Sequence, residues 1–181
     1  MNCMKNLKAF LVLTILSFTP FVSYSQNWRV NTFDSLQFVV SSPEPLIKKT
    51  KESLTEVGKQ VVHSFGLKPK NKENLIYQVI VLQYPVGSFP KDSIDLKNSV
   101  LSSLIEDTVI DENSDLIYSE STGQQGIKGM QWRIHNRNQI VIRSKAFVFM
   151  DRVYIVQVMS EMQKSLNKDV DKFMDSFQFM K

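Results

Sequence analysis

Residues 75–84 read LIYQVIVLQY. Successive side chains of a strand point to opposite faces. Leu75, Tyr77, Val79 and Val81 therefore share one face, and Ile76, Ile80, Leu82 and Tyr84 share the other. Both faces are apolar, which predicts a central strand covered on both sides. Upstream, residues 58–67 (GKQVVHSFGL) predict a neighbouring strand, joined to it by the polar turn 68–74. Residues 46–55 are charged and alternate poorly, as an edge strand does. Residues 36–40 predict a further strand, and Pro43 and Pro45 end it because proline has no amide to give a ladder.

Downstream the period changes. Leu96, Val100 and Leu104 recur every four residues, with Leu101 and Ile105 beside them, predicting an amphipathic helix that ends near Thr108. Asp92 or Ser93 can cap it, because a side-chain oxygen there accepts the free amides of the first turn. Residues 111–115 form an acidic loop and residues 116–121 a short strand. Gly123, Gly126 and Gly129 mark a bend. Met130, Trp132 and Ile134 then alternate with Gln131, Arg133 and His135, and Asn136, Arg137 and Asn138 form a hairpin turn. Residues 140–150 return, Asp151 and Arg152 turn again, and residues 153–159 are apolar on both faces. Leu166, Val170, Phe173 and Phe177 predict a closing helix. Strands, helix, hairpin-linked strands, helix: this order argues for an α+β fold, a mostly antiparallel sheet with helices packed on it. No internal repeat interrupts it.

The N-terminus reads differently. Lys5 and Lys8 precede the mostly apolar run 9–18, Pro20 breaks it, and Ser23 and Ser25 supply the small residues a signal peptidase reads. The expectation is a signal peptide over residues 1–25, cleaved near Gln26, then a lead-in 26–32 and a single domain 33–181. A membrane anchor is the rival, but a span needs about 20 apolar residues, and this run is interrupted by Thr14, Ser17 and Pro20. Cys3, the sole cysteine, precedes the apolar run, unlike a lipoprotein cysteine, and excludes an intramolecular disulfide. Loss of residues 1–25 takes the net charge from +4 to +2. No global argument for nucleic-acid binding survives that change. The expected location is exported, periplasmic or extracellular, with no transmembrane helix in the mature chain.

Several local patterns coincide with one family. Phe38-Val39-Val40 runs into Pro43-Glu44-Pro45, the strand 75–84 precedes the only internal helix, and Gly126 and Gly129 introduce a long hairpin. The chain closes on Phe173-Met174-Asp175-Ser176-Phe177. From residue 33 to 181 it resembles the PsbP-like and Mog-type superfamily, in particular its small secreted bacterial members. The resemblance implies an α/β/α sandwich and a non-catalytic role, docking on membrane complexes or protein partners. It carries over no binding residues.

The chemistry-bearing residues are sparse. The two histidines, His63 and His135, have no second histidine or carboxylate at ligand spacing, so no metal and no cofactor is expected. There is no G-x-S-x-G, and the glycines 123, 126 and 129 fit neither phosphate-cradle spacing. A Ser/His/Asp hydrolase site assembled in space is the enzymatic alternative, and a membrane-peripheral accessory protein is the third. The acids between Asp92 and Glu120 lie on one helix and loop, as a solvated face would.

One pattern stands out. Residues 92–120 hold eight acids and one base, Lys97, whereas residues 122–150 hold no acid but carry Lys128, Arg133, Arg137, Arg143 and Lys145. Alternation puts Arg133, His135 and Arg137 on one strand face, and Arg143 and Lys145 on the next. Two readings are open. These cations neutralise the acidic segment across the fold, or Arg133, His135, Arg137, Arg143 and Lys145 form a basic patch for an anionic protein or envelope component. The function expected is that of a secreted or periplasmic binding or accessory protein.

Overall fold

The computed structural model describes residues 28–55, 58–70 and 73–180. The expected leader, with Cys3, Lys5, Lys8 and the cleavage position at Gln26, lies outside the described residues. The stretch 75–84 builds strand β5 (Ile76–Gln83), an interior strand of a seven-stranded sheet. On one side β5 pairs with β4 (Gly58–Leu67), and β4 with the edge strand β3 (Ile47–Thr55). On the other side follow β9 (Arg152–Glu161), β8 (Ile140–Phe149), β7 (Ile127–Asn136) and the second edge, β6 (Ser114–Gln124). Every pairing is antiparallel.

The period-two reading of β5 holds on both faces. Tyr77, Val79 and Val81 join one core with Phe65, Tyr154 and Val156. Ile80, Leu82 and Tyr84 pack against the other core, around Trp132, Ile142 and Ile155. The two cores are covered differently. Helix α1 (Ile94–Asp111) covers the second, burying Leu101 and Ile105. The first is covered by a small sheet of β1 (Arg29–Phe33), β2 (Phe38–Ser42) and β10 (Gln178–Phe179), in the order β1-β2-β10, together with helix α2 (Lys168–Ser176).

This corrects the expected α/β/α sandwich. The chain is mostly β, with two antiparallel sheets and two α-helices among the described residues. A second sheet takes much of the layer where helices were expected. Its physical basis is short-range extension joined by long-range pairing. Arg29–Phe33, expected as lead-in, pairs along β2, and the two residues after Phe177 pair with Phe38 and Val39.

The closing motif explains how α2 is held. Phe173 and Phe177 are fully buried, and the Ser176 hydroxyl accepts from the Ser41 amide (2.9 Å) and donates to the Phe173 carbonyl (2.8 Å). At the other end, Asn167 caps α2 by accepting from the amides of Asp169 (3.0 Å) and Val170 (3.1 Å). Asn167 also donates to buried Asn74 (2.9 Å), which takes the Ser160 hydroxyl (2.5 Å) and donates to Tyr77 (2.6 Å). Burial pushes the Tyr77 phenol up to about 12, so it stays protonated. By contrast, the Ser93 hydroxyl at the start of α1 donates backwards to Pro90 (2.6 Å) instead of capping the helix.

Candidate functional site

Two basic regions emerge, and they are built differently. The first holds the residues singled out in the sequence. Arg133 and His135 on β7 lie on the same sheet face as Arg143 and Lys145 on β8, with Arg133 directly opposite Arg143. Helix α2 runs over this face. Arg143 pairs with Asp171 at 2.8 Å and Lys145 with Asp175 at 2.6 Å. The fit follows from element geometry. Four residues of helix advance about 6 Å, and two residues of strand advance about 6.6 Å. Acids four apart on α2 thus match cations two apart on β8. The cations are the enclosed partners, with side chains 22% and 16% exposed.

Arg133 is engaged without a carboxylate. Its Nε donates to His135 Nε2 (3.0 Å) and its Nη2 to the Ser165 hydroxyl (3.0 Å). Burial, and then the Arg133 charge, lower the His135 pKa; Asp115 opposes them from the neighbouring strand. Arg137 sits exposed in the β7–β8 turn. The structure therefore brings Arg133, His135, Arg143 and Lys145 together and leaves Arg137 at their rim. The acids that meet this stripe come from α2, not from residues 92–120.

The second region is a cavity of about 650 Å³ at the end of the sheet where α1 begins. Three loops shape it. Asp151, in the β8–β9 turn, accepts the Tyr84 amide at its carbonyl (2.9 Å) and the Phe89 amide at its carboxylate (3.2 Å). This ties the β5–α1 loop to the turn and sets Phe89 edge-on against Tyr84. Gln125 and Gly126 close the β6–β7 hairpin with positive φ values of 49° and 82°, as a two-residue turn of mirror-image hand requires. The Gln125 side chain, in turn, accepts the Phe179 amide (2.6 Å).

Phe89, Leu101 and Val148 are buried in the floor of this cavity, flanked by half-buried Ile127 and Phe149. Ile94 and Met150 stand at its mouth, 58% and 56% exposed. Met150 holds a left-handed φ of 52°, a conformation disfavoured for a side chain of its kind. Around the apolar floor stand Lys91, Lys97 and Lys128, with Asn98 beside them and no carboxylate in the lining. Lys97 Nζ donates to the Lys91 carbonyl (2.9 Å), which folds its stem across the start of α1.

The sequence pattern points only to the first region. Lys91 carried no local signal, Lys97 appeared only as the lone base in an acidic segment, and Lys128 was one base among five. Their convergence is a product of the tertiary fold.

His63 shares a hydrogen bond with Thr50 (3.2 Å), and burial lowers its pKa, opposed by a hydrogen bond with Gln83 that raises it. Among the described residues, no three His, Cys, Asp or Glu side chains lie close enough to hold a metal ion. No helix there is long and apolar enough to cross a membrane.

No family model matches the chain, and no curated protein does. Among solved structures, the solution structure of cyanobacterial PsbP (CyanoP) from Synechocystis sp. PCC 6803 is similar. The match has a TM-score of 0.57 at 10% sequence identity and spans 87% of this chain and 95% of that one. At that identity the likeness concerns architecture, and the fold of this chain is PsbP-like.

Proposed function

We propose that the protein is an exported, non-catalytic accessory protein that works by binding an anionic partner. The observation that carries this reading is the contrast between its two basic regions. Arg143 and Lys145 spend their charge on α2. Lys91, Lys97 and Lys128 surround an apolar recess with no carboxylate in its lining. Among the described residues these lysines make no salt bridge, and charge of one sign around a low-dielectric hollow focuses its field on an incoming counter-charge. The PsbP-like fold supports the accessory role that the family resemblance implies, and the leader-like N-terminus supports export.

A second contact has its own support. Arg133 and Arg137 make no salt bridge among the described residues, so this end of the stripe offers an anionic partner a second contact.

The test is binding to phosphatidylglycerol vesicles and to polyglutamate, at about 0.05 M and about 0.5 M salt, where screening differs several-fold. The reading expects binding to at least one probe at low salt and its loss at high salt. Lys91→Glu, Lys97→Glu and Lys128→Glu together should abolish it with unchanged melting, and Arg133→Glu with Arg137→Glu should weaken it less. Retention of either probe by the triple variant would sink the cavity as the contact.

A further inference from the structure

We infer that the lysine-rimmed cavity binds a single-chain amphipathic anion, its acyl chain on the floor made by Phe89, Leu101 and Val148 and its headgroup among Lys91, Lys97 and Lys128. The inference rests on the reading of this cavity as the anionic contact and names the ligand class.

The floor and the rim ask for different chemistry. A small hydrophilic anion would satisfy the lysines and leave the recess unfilled. A neutral hydrocarbon would fill the recess and leave three ammonium groups at its edge without a counter-charge. A molecule with an anionic head and an apolar chain satisfies both. The volume of about 650 Å³ lies within the usual range for small-molecule sites, about 300–1,000 Å³. Lysine suits the rim because its apolar stem can lie along the recess wall while its charge stays at the wet edge. Ile94 and Met150, both largely exposed, stand where the chain would enter. Burying them against a methylene chain removes apolar surface from water on both partners.

The shared headgroup chemistry is a carboxylate or a phosphate, from a free fatty acid or a lysophospholipid. Each buried methylene is worth about 0.8 kcal/mol, roughly a three- to four-fold gain in affinity. A chain-length series is therefore diagnostic, because a headgroup-only contact would not sense it.

The experiment is displacement of a dansyl-labelled fatty acid from the purified protein, below the micelle concentration of each competitor. The competitors are octanoate, dodecanoate, dodecanol and lysophosphatidylglycerol. The expected order places dodecanoate at least tenfold ahead of both octanoate and dodecanol; lysophosphatidylglycerol set beside dodecanoate identifies the source. Ile94→Glu at the exposed mouth, and separately Met150→Glu, should each weaken dodecanoate about tenfold or more with an unchanged melting curve. Equal displacement by octanoate and dodecanoate, equal displacement by dodecanol, or no saturable binding of the labelled acid would each overturn the inference. The two proposals fail separately. If vesicles or polyglutamate bind through the lysines while no single-chain amphiphile does, the anionic-partner reading stands and this inference falls. If dodecanoate binds but the vesicles and polyglutamate are retained by the triple lysine variant, the reverse holds.

Discussion

The stripe on β7 and β8 and the rim at the start of α1 are both basic, yet one is a seam and the other an opening. In the seam, acids arrive on a helix whose repeat matches that of the strand, so Arg143 and Lys145 are paired and mostly enclosed. In the rim, three lysines from separate loops and elements meet over apolar side chains, with no acid in the lining. Net basic charge in a segment therefore does not distinguish a structural contact from a binding site. What distinguishes them is whether the fold delivers a counter-charge.

The harshest way to break this comparison is at the strand that serves both regions. Gly129 follows rim residue Lys128 on β7 and lies opposite Phe147. A Cβ placed there would collide with the Ala146 carbonyl and the Phe147 ring. Gly129→Val should cost about 3 kcal/mol or more, the range of severe overpacking, and disturb seam and rim together. Chemical denaturation of the variant checks it; a near-native midpoint would mean that the β8 backbone at Ala146 gives way as well as the Phe147 ring.

Next comes the anchor of the seam. Asn74 is buried and joins Tyr77, Ser160 and Asn167, the cap of α2. Asn74→Ala should destabilise by about 2–3 kcal/mol, because it leaves several buried polar groups without partners. Hydrogen exchange should rise in α2 and leave α1 unchanged. Uniform loosening of both helices would contradict a local anchor.

Reversing the charges separates the regions directly. Arg143→Glu with Lys145→Glu sets enclosed acids against Asp171 and Asp175 and should cost about 1–3 kcal/mol, between exposed and buried pairs. Adding Asp171→Lys and Asp175→Lys should restore part of it. The triple rim variant should stay within about 0.5 kcal/mol of wild type, as surface substitutions do. Equal losses from both sets would erase the distinction between them.

The sequence made the large sheet legible where the pattern was local and strongly alternating. The ten residues 75–84 carried β5 and its two faces, and residues 58–67 match β4 end to end. The hairpin turn expected at residues 136–138 falls at residues 137–139, one position on. Where stability comes from distant partners, local pattern misled. β6 runs over eleven residues, but its Ser, Glu, Thr and Gly resemble a loop, so local pattern predicts only a short strand there. The small sheet depends on β10, two residues long, meeting β2 from the far end of the chain. On α1, Leu96 shares the apolar period with Val100 and Leu104 yet is 43% exposed, because Leu101 and Ile105 face the sheet. The face shared by Arg133, His135, Arg143 and Lys145 followed from alternation, whereas the acids of α2 that meet two of them did not. The rim was illegible for the same reason, since residues 91, 97 and 128 meet only after folding.

The smallest expected effect is a pH dependence carried by the two histidines, His135 in the seam and His63 on β4. His135 accepts a hydrogen bond from Arg133 on the ring nitrogen that a proton would occupy. Burial lowers the His135 pKa below its ordinary 6.5, and the neighbouring guanidinium adds to that. In the unfolded chain the ring titrates near 6.5. Between the lowered folded value and 6.5, the unfolded state holds more protons, so stability rises with pH through that window. The contribution is present above pH 6.5 and is lost as pH falls through 6.5 toward the folded value; below that value it changes no further. His63, also lowered by burial, adds a slope of the same sign. Melting curves across this window should therefore shift downward on acidification. His135→Gln should remove part of the shift and His63→Gln another part. The double variant should flatten the profile, while the rim variant, which keeps both histidines, should retain the wild-type slope. A wild-type slope in the double histidine variant would place the proton-linked group elsewhere in the molecule.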